Sequence, residues 1–286
     1  MILRILLVGA ALALGVSAAA AAIVEEVTTL AVDIDVAGKP RLKQPITVTI
    51  FRDDARAKAP FLVLNHGRAG RADEREKLGR SRYPGNAKYF VERGFAVFIP
   101  TRIGYGVTGG PDLEDSGRCD ARDFAPAFAA AAQQVLAVVR HAKSRPYVDA
   151  RHGVLVGQSF GGATALAVAA RNEPGVMAAI NFSGGSGGRP KAHPGAPCSD
   201  DRLAATLASY AKAKVPTLWL YSQNDQYWGA RLPKLWFDGF VRNGGRGRFV
   251  ALPPSGEDGH SSFSRNVKAW RPSVEAFLRE IGMAVR

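Results

Sequence analysis

A doubly wound α/β fold, a mostly parallel sheet with helices on both faces, is what this sequence predicts, and three observations predict it. Short apolar runs bounded by turn residues recur along the chain, helical segments fall between them, and the runs lack a polar face, as strands covered from both sides must. The composition is compatible. With 286 residues, 47% hydrophobic and 22% charged, 31 Gly and 17 Pro, the chain is neither collagen, coiled coil nor disordered throughout, and it is long enough to bury a sizeable core.

The first strand signal is the alternation over residues 47–51. An apolar run at 61–64 follows and ends in Asn65-His66-Gly67, and another at 95–99 is stopped by Pro100. Residues 124–142 carry the Ala, Gln, Leu and Val content of a helix, and Arg140, His141 and Lys143 sit near its end, where cations complement the macrodipole. A strand at 154–156 and a helix at 163–171 come next. Strands at 177–182, 216–221 and 248–252 then alternate with helices at 203–214, 232–243 and 267–281. No linker breaks the series, so a single domain without internal repeats is expected from about residue 23 to 286. Ligands of such sheets sit beyond the carboxyl ends of the strands. The two long Gly- and Pro-rich loops, 101–123 and 183–201, are therefore expected to wall the site.

Residues 1–22 combine Arg4, an apolar stretch over 5–16 and small residues over 17–22 with several A-x-A sites, the layout of a cleaved export signal. The uncharged run 5–24 is also about long enough to span a bilayer, but its second half is mostly Ala, which weighs toward cleavage. The mature chain is expected to be 23–286, periplasmic or secreted, without stable membrane insertion. An oxidising compartment lets Cys119 and Cys198, both in Gly/Pro-rich loops, pair as a disulfide. Lys and Arg number 38 against 25 Asp and Glu, a net charge of +13. The charges are scattered, the densest stretch at 68–88 is interspersed with Asp73, Glu74 and Glu76, and no basic stripe alternates with stacking aromatics. The charge reads as solubility, and no nucleic-acid partner is expected.

The pattern G-x-S-x-G occurs around Ser159 and again around Ser186, and context separates them. A nucleophile elbow needs a strand before the serine, a helix directly after it and small neighbours, because the serine sits in a strained turn whose flanks approach other backbone. Val154-Leu155-Val156 precedes Ser159, and Gly161-Gly162-Ala163-Thr164 opens a helix behind it. Gly187-Gly188-Arg189-Pro190 cannot start a helix that packs back on the sheet, so Ser186 reads as a loop residue. The string G-x-G-x-x-G at 104–109 is likewise a turn-rich loop, since Pro111, Asp112 and Ser116 stand where a phosphate-binding helix would begin.

A serine hydroxyl needs a base to take its proton and an acid to orient that base. In an elbow fold they come in the order Ser, Asp or Glu, His. Of the five histidines, only His260 comes after every strand. Asp225, just past the run 218–221, is the expected acid; Asp258 is too near His260 in sequence to approach its ring easily, and Asp238 lies in a helical pattern. For the oxyanion, the backbone N–H of Phe160 and one from the loop after the run 61–64 are expected, the latter from Arg68 with Ala69 as the alternative. His66 reads as a structural hydrogen bonder and Arg102 as a solvated loop arginine. Neither H-E-x-x-H nor C-x-x-C is present, so neither a metal nor a cofactor is expected.

With its His66-Gly67 turn, the elbow at Ser159, Asp225 and Asp258-Gly259-His260, the chain resembles the α/β-hydrolase superfamily, specifically its exported dienelactone hydrolase-like branch, over nearly everything after residue 45. Dienelactone hydrolase itself carries a cysteine at the elbow, where this sequence has Ser159. That departure turns the expectation from dienelactone to ordinary carboxylic esters. The resemblance implies a Ser-Asp-His acyl-transfer enzyme acting on a small-molecule ester, and the residues read alone point to the same chemistry. A small peptidase or a thioesterase on the same triad is the alternative. A non-catalytic binding protein on the same scaffold is a third, against which an intact Ser, Asp and His in order argues.

Overall fold

The apolar runs pair into one sheet of eight strands: β1 (Ile23–Ile34), β2 (Leu42–Asp53), β3 (Ala59–Asn65), β4 (Ala96–Thr101), β5 (Val148–Gln158), β6 (Val176–Phe182), β7 (Thr217–Ser222) and β8 (Gly247–Leu252). The structure is a computed structural model describing residues 22–37 and 41–283. The expected export signal at 1–22 lies, but for its last residue, outside the described residues. The order across the sheet is β1-β2-β4-β3-β5-β6-β7-β8. All neighbours from β4 to β8 run parallel, while β1 and β2 form an antiparallel pair and β2 joins β4 antiparallel.

Helices cover both faces, as expected of a doubly wound sheet. They are α1 (Ala72–Glu76), α2 (Pro84–Glu92), α3 (Phe124–Lys143), α4 (Phe160–Ala169), α5 (Asp200–Ser209), α6 (Leu232–Arg242), α7 (Ser262–Arg265) and α8 (Val267–Glu280). Strand β3 explains why its run has no polar face. Phe61 and Val63 enter a core built with α3, α4, α5 and α6, Leu62 and Leu64 enter a second core with α2, α7 and α8, and all four are fully buried. Each such side chain contributes about 1.5–3 kcal/mol of burial.

Strand β1 is absent from the sequence reading for an equally local reason. Its less exposed face includes Glu26 and Thr28, which break the apolar alternation; Glu26, still partly in solvent, accepts from Arg52 on β2 at 2.8 Å. Helix α2 begins at Pro84, whose missing N–H costs nothing in the first turn, although a Tyr-Pro-Gly string reads most simply as a loop.

The two long loops expected to wall the site are covalently joined, since Cys119 is bridged to Cys198 across a sequence separation of 79. In the chain-entropy model a closure of that length contributes roughly 4–5 kcal/mol. Around the bridge, Ser199 Oγ donates to Cys119 O at 2.7 Å and Cys198 N–H to Gly187 O at 2.9 Å, so the second loop is held beside the first. Among the described residues, no helix is long and apolar enough to cross a membrane.

Candidate active site

Strand β5 passes directly into helix α4 through Ser159, whose φ of 56° and ψ of −126° lie outside the regions comfortable for an L residue. Such a conformation costs on the order of 1–3 kcal/mol and persists only where the surroundings over-determine it. Here they do. Ser159 N–H donates to Phe182 O at 2.9 Å, and its carbonyl accepts from the N–H groups of Gly162 and Gly185 at 2.8 and 3.2 Å. The motif glycines are steric necessities: a Cβ on Gly157 would stand 2.0 Å from Gly161 O, and one on Gly161 2.3 Å from Asn65 O. Ser186 comes after β6, and no helix starts behind it until Asp200.

The loops after β7 and β8 meet at the same end of the sheet. Asp225 and His260 are buried, with His260 Nδ1 3.0 and 3.2 Å from the two carboxylate oxygens of Asp225. Asp225 Oδ1 also accepts the N–H groups of Tyr227 and Trp228, at 2.8 and 3.2 Å. A carboxylate is acceptor-only, so Nδ1 carries the proton and Nε2 keeps its lone pair. The Tyr227 ring stacks on the imidazole at 3.8 Å between centroids, and Trp228 meets it edge-on at 5.5 Å.

Asp258 has a different place from Asp225. Its Oδ1 accepts the backbone N–H groups of His260 and Gln226, at 2.9 and 3.0 Å, tying the two loops together. Gln158, just before the elbow, donates from Nε2 to His260 O at 3.1 Å.

Strand β3 delivers the third loop. A Cβ on Gly67 would lie 3.3 Å from Ser159 Cβ, so this loop runs against the serine. The N–H groups of Arg68, Ala69 and Phe160 have no hydrogen-bond acceptor among the described residues. His66 is buried, with Nδ1–H donating to Gly67 O at 2.7 Å and Nε2 accepting Arg102 N–H at 3.2 Å.

Burial, and then the cation of Arg102, hold the His66 imidazole well below its ordinary range, so it is neutral in the fold. An unfolded histidine takes up its proton near pH 6.5. Between that pH and the lower folded value, the unfolded chain binds the extra proton, so stability falls as pH falls. The expected loss from this one group reaches about 1.4 kcal/mol per pH unit below about pH 6.5 and is absent above it. Urea midpoints at pH 7.5 and 5.5 measure it, and His66→Asn should flatten the slope; an unchanged slope would assign the loss to other groups.

Arg102 corrects the sequence reading. It is not solvated: Arg102 and Glu114 form an ion pair in which both side chains are fully buried. Its guanidinium also donates to His66 O at 2.9 Å and Gly67 O at 3.4 Å, and Tyr105 OH donates to Glu114 at 2.6 Å. A buried cation survives only with its charge and donors matched, and removing one partner of such a pair typically costs about 3–5 kcal/mol.

Above Ser159 and Phe160 opens a cavity of about 660 Å³. Tyr227 and Trp228 give it an aromatic side, and the cations of Arg71, Arg122, Arg189 and Lys191 outnumber the carboxylates of Glu74 and Asp115 on its wall. Arg68 lines it too, but its side chain is forked onto Asp112 at 2.7 and 2.8 Å. Arg122 and Arg189 differ, because each carries a buried Nε without a hydrogen-bond partner. Burial, with Arg68 and Arg189 adding like charge against the opposing pull of Asp115, lowers the proton affinity of Arg122.

A model of the Dienelactone hydrolase family matches residues 84–238, just over half of the chain. The chain belongs to the dienelactone hydrolase family. The matched segment includes Ser159 and Asp225 and ends before His260. A search of curated protein sequences returns no match. Among solved structures, an acetyl xylan esterase from Paenibacillus sp. R4 is 16% identical, with 92% of this chain and 90% of that one covered and a TM-score of 0.57. A dienelactone hydrolase-like promiscuous phosphotriesterase from metagenomic libraries is 16% identical over 91% of this chain and 99% of that one, at a TM-score of 0.53. The acylaminoacyl peptidase of Pyrococcus horikoshii reaches 0.59 at 15% identity, covering 89% of this chain but 42% of that one. At such identities the likeness establishes the α/β-hydrolase fold.

For this dienelactone hydrolase family member, the sequence reading overlooked four participants: Asp258 as a strut, Gln158 as a tie, and the buried pair of Arg102 and Glu114. Local signals for the first two are weak, because a side chain that accepts from or donates to the main chain leaves no pattern in the sequence. Arg102 and Glu114 lie in the turn-rich stretch after β4, where charge reads as solvated; only their shared burial reveals them.

Proposed function

We propose that this hydrolase is a serine esterase. Ser159 Oγ attacks the ester carbonyl carbon while His260 Nε2 takes its proton, Asp225 holds the imidazole through Nδ1–H, and the N–H groups of Phe160 and Arg68 receive the oxyanion. Collapse breaks the bond to the alcohol oxygen, which leaves with the proton from His260. Water then gives its proton to the same nitrogen, attacks the acyl group and releases the acid, restoring Ser159. The observation that carries this reading is the hydrogen bond of 3.0 Å from His260 Nδ1 to Asp225, at the sheet end where the strained elbow presents Ser159. An esterase among the structural neighbours supports the choice of bond. The cations Arg122 and Arg189 favour an ester bearing an acidic group. The bridge between Cys119 and Cys198 supports an exported mature chain, residues 23–286, folded as one domain.

Labelling with a fluorophosphonate, then mass mapping of tryptic peptides, tests the nucleophile. The expected adduct is on the peptide containing Ser159; an adduct elsewhere, or none, defeats the proposal. In parallel assays a short p-nitrophenyl ester should turn over faster than the matching thioester or peptide anilide, and faster still when its acyl chain ends in a carboxylate.

A further inference from the structure

We propose that Arg102 is a positioning residue for the oxyanion site: held by Glu114, its guanidinium pins the carbonyl of Gly67 and thereby aims the N–H of Arg68, on the same peptide, into the cavity over Ser159. The inference rests on the reading of Ser159 as nucleophile.

In a trans peptide the C=O and N–H point in opposite directions, and the described backbone contains no cis bond. Gly67 O is drawn inward by two donors, His66 Nδ1–H at 2.7 Å and Arg102 Nη2 at 3.4 Å. The N–H of Arg68 must then face the other way, and Arg68 lines the cavity together with Ser159 and Phe160. Arg102 fixes the preceding peptide as well, donating from Nη1 to His66 O at 2.9 Å.

Its main chain adds a second hold. By donating to His66 Nε2 at 3.2 Å, Arg102 N–H forces the imidazole proton onto Nδ1, which is the atom that grips Gly67 O. A cation on that carbonyl also draws electron density from the peptide nitrogen, which strengthens its N–H as a donor to developing negative charge. Being fully buried, Arg102 cannot touch a substrate in the cavity. A buried ion pair adds little net stability over apolar packing, so geometry is the better account of why charge is kept there.

Two variants test this. Arg102→Lys keeps the charge beside Glu114, but one ammonium cannot span both carbonyls and the carboxylate as a planar fork does. The double variant Arg102→Met with Glu114→Gln removes both charges, so neither is stranded. Since losing an oxyanion donor outright typically costs 10²–10³ in kcat, misaiming one is expected to lower kcat by about 10- to 100-fold. That kcat is measured on p-nitrophenyl acetate, per site titrated to completion with fluorophosphonate. KM should stay within about threefold, affinity for a boronic acid should fall in step with kcat, and affinity for acetate should not move. A merely structural role would reduce the number of titratable sites and leave kcat per site alone. Unchanged kcat per site and boronate affinity in either folded variant would overturn the inference. If the unaltered enzyme is not labelled at Ser159, the nucleophile reading fails first, and this inference goes with it.

Discussion

Ser159→Ala should lower kcat/KM for a short p-nitrophenyl ester by about 10⁵-fold or more, because Ser186, the other serine on the cavity wall, sits in a loop without an elbow, and what remains is binding and electrostatics. Stability should barely change. The Ser159 hydroxyl does not cap helix α4, and the contacts that hold its strained backbone run through its N–H and carbonyl, which Ala keeps. Thermal unfolding of the variant beside kinetics under identical conditions separates the two effects. Activity within tenfold of the original protein in a folded variant would remove Ser159 from the mechanism.

Asp225→Asn is the second large loss, about 10⁴-fold in kcat, and the expectation rests on which way the new amide must face. Oδ1 of Asp225 accepts two backbone N–H groups, from Tyr227 and Trp228, while Oδ2 faces His260 Nδ1. An asparagine can satisfy those two donors only by putting its oxygen there, which turns its NH₂ toward Nδ1. The imidazole must then accept at Nδ1 and carry its proton on Nε2, where it can no longer take one from serine. Fold and imidazole position should survive, so the variant should still bind substrate with a KM near the original. Asp258→Asn is the control. Among the described residues its carboxylate accepts only from main-chain donors, so a tautomer effect is not expected and kcat should stay within about tenfold, with any loss falling on stability. Equal losses in the two variants would mean that Asp225 acts as a strut and not through the imidazole.

Much of the parallel sheet was legible in the chain because its strands are buried on both faces: Leu62 and Val63 point to opposite cores, so neither leaves a polar position to confuse the pattern. The edge strand β1 was not, since Glu26 and Thr28 interrupt the apolar residues of its less exposed face and so hide the alternation. The elbow was separable from its double at Ser186 by the residues on the C-terminal side of each serine, and the structure places a helix directly behind Ser159 alone. Chain order singled out Asp225 and His260, which meet through Nδ1; it could not disclose that Asp258 ties their two loops together.

What the sequence by itself determined is whatever depends on a few adjacent residues: strand, tight turn and helix around Ser159, the glycines that a Cβ would block, and the alternation that makes an α/β sheet. Steric exclusion and periodicity act over short spans of backbone, so they are written in local order. The tertiary structure alone decided which charges lose their water. Arg102 and Glu114 look like ordinary loop residues until β3, the loop after it and helix α4 close around them, and Arg122 and Arg189 gain meaning only where the two bridged loops bring them over one cavity. Desolvation is set by everything that packs around a group, most of it distant in the chain, and no window of sequence contains that sum.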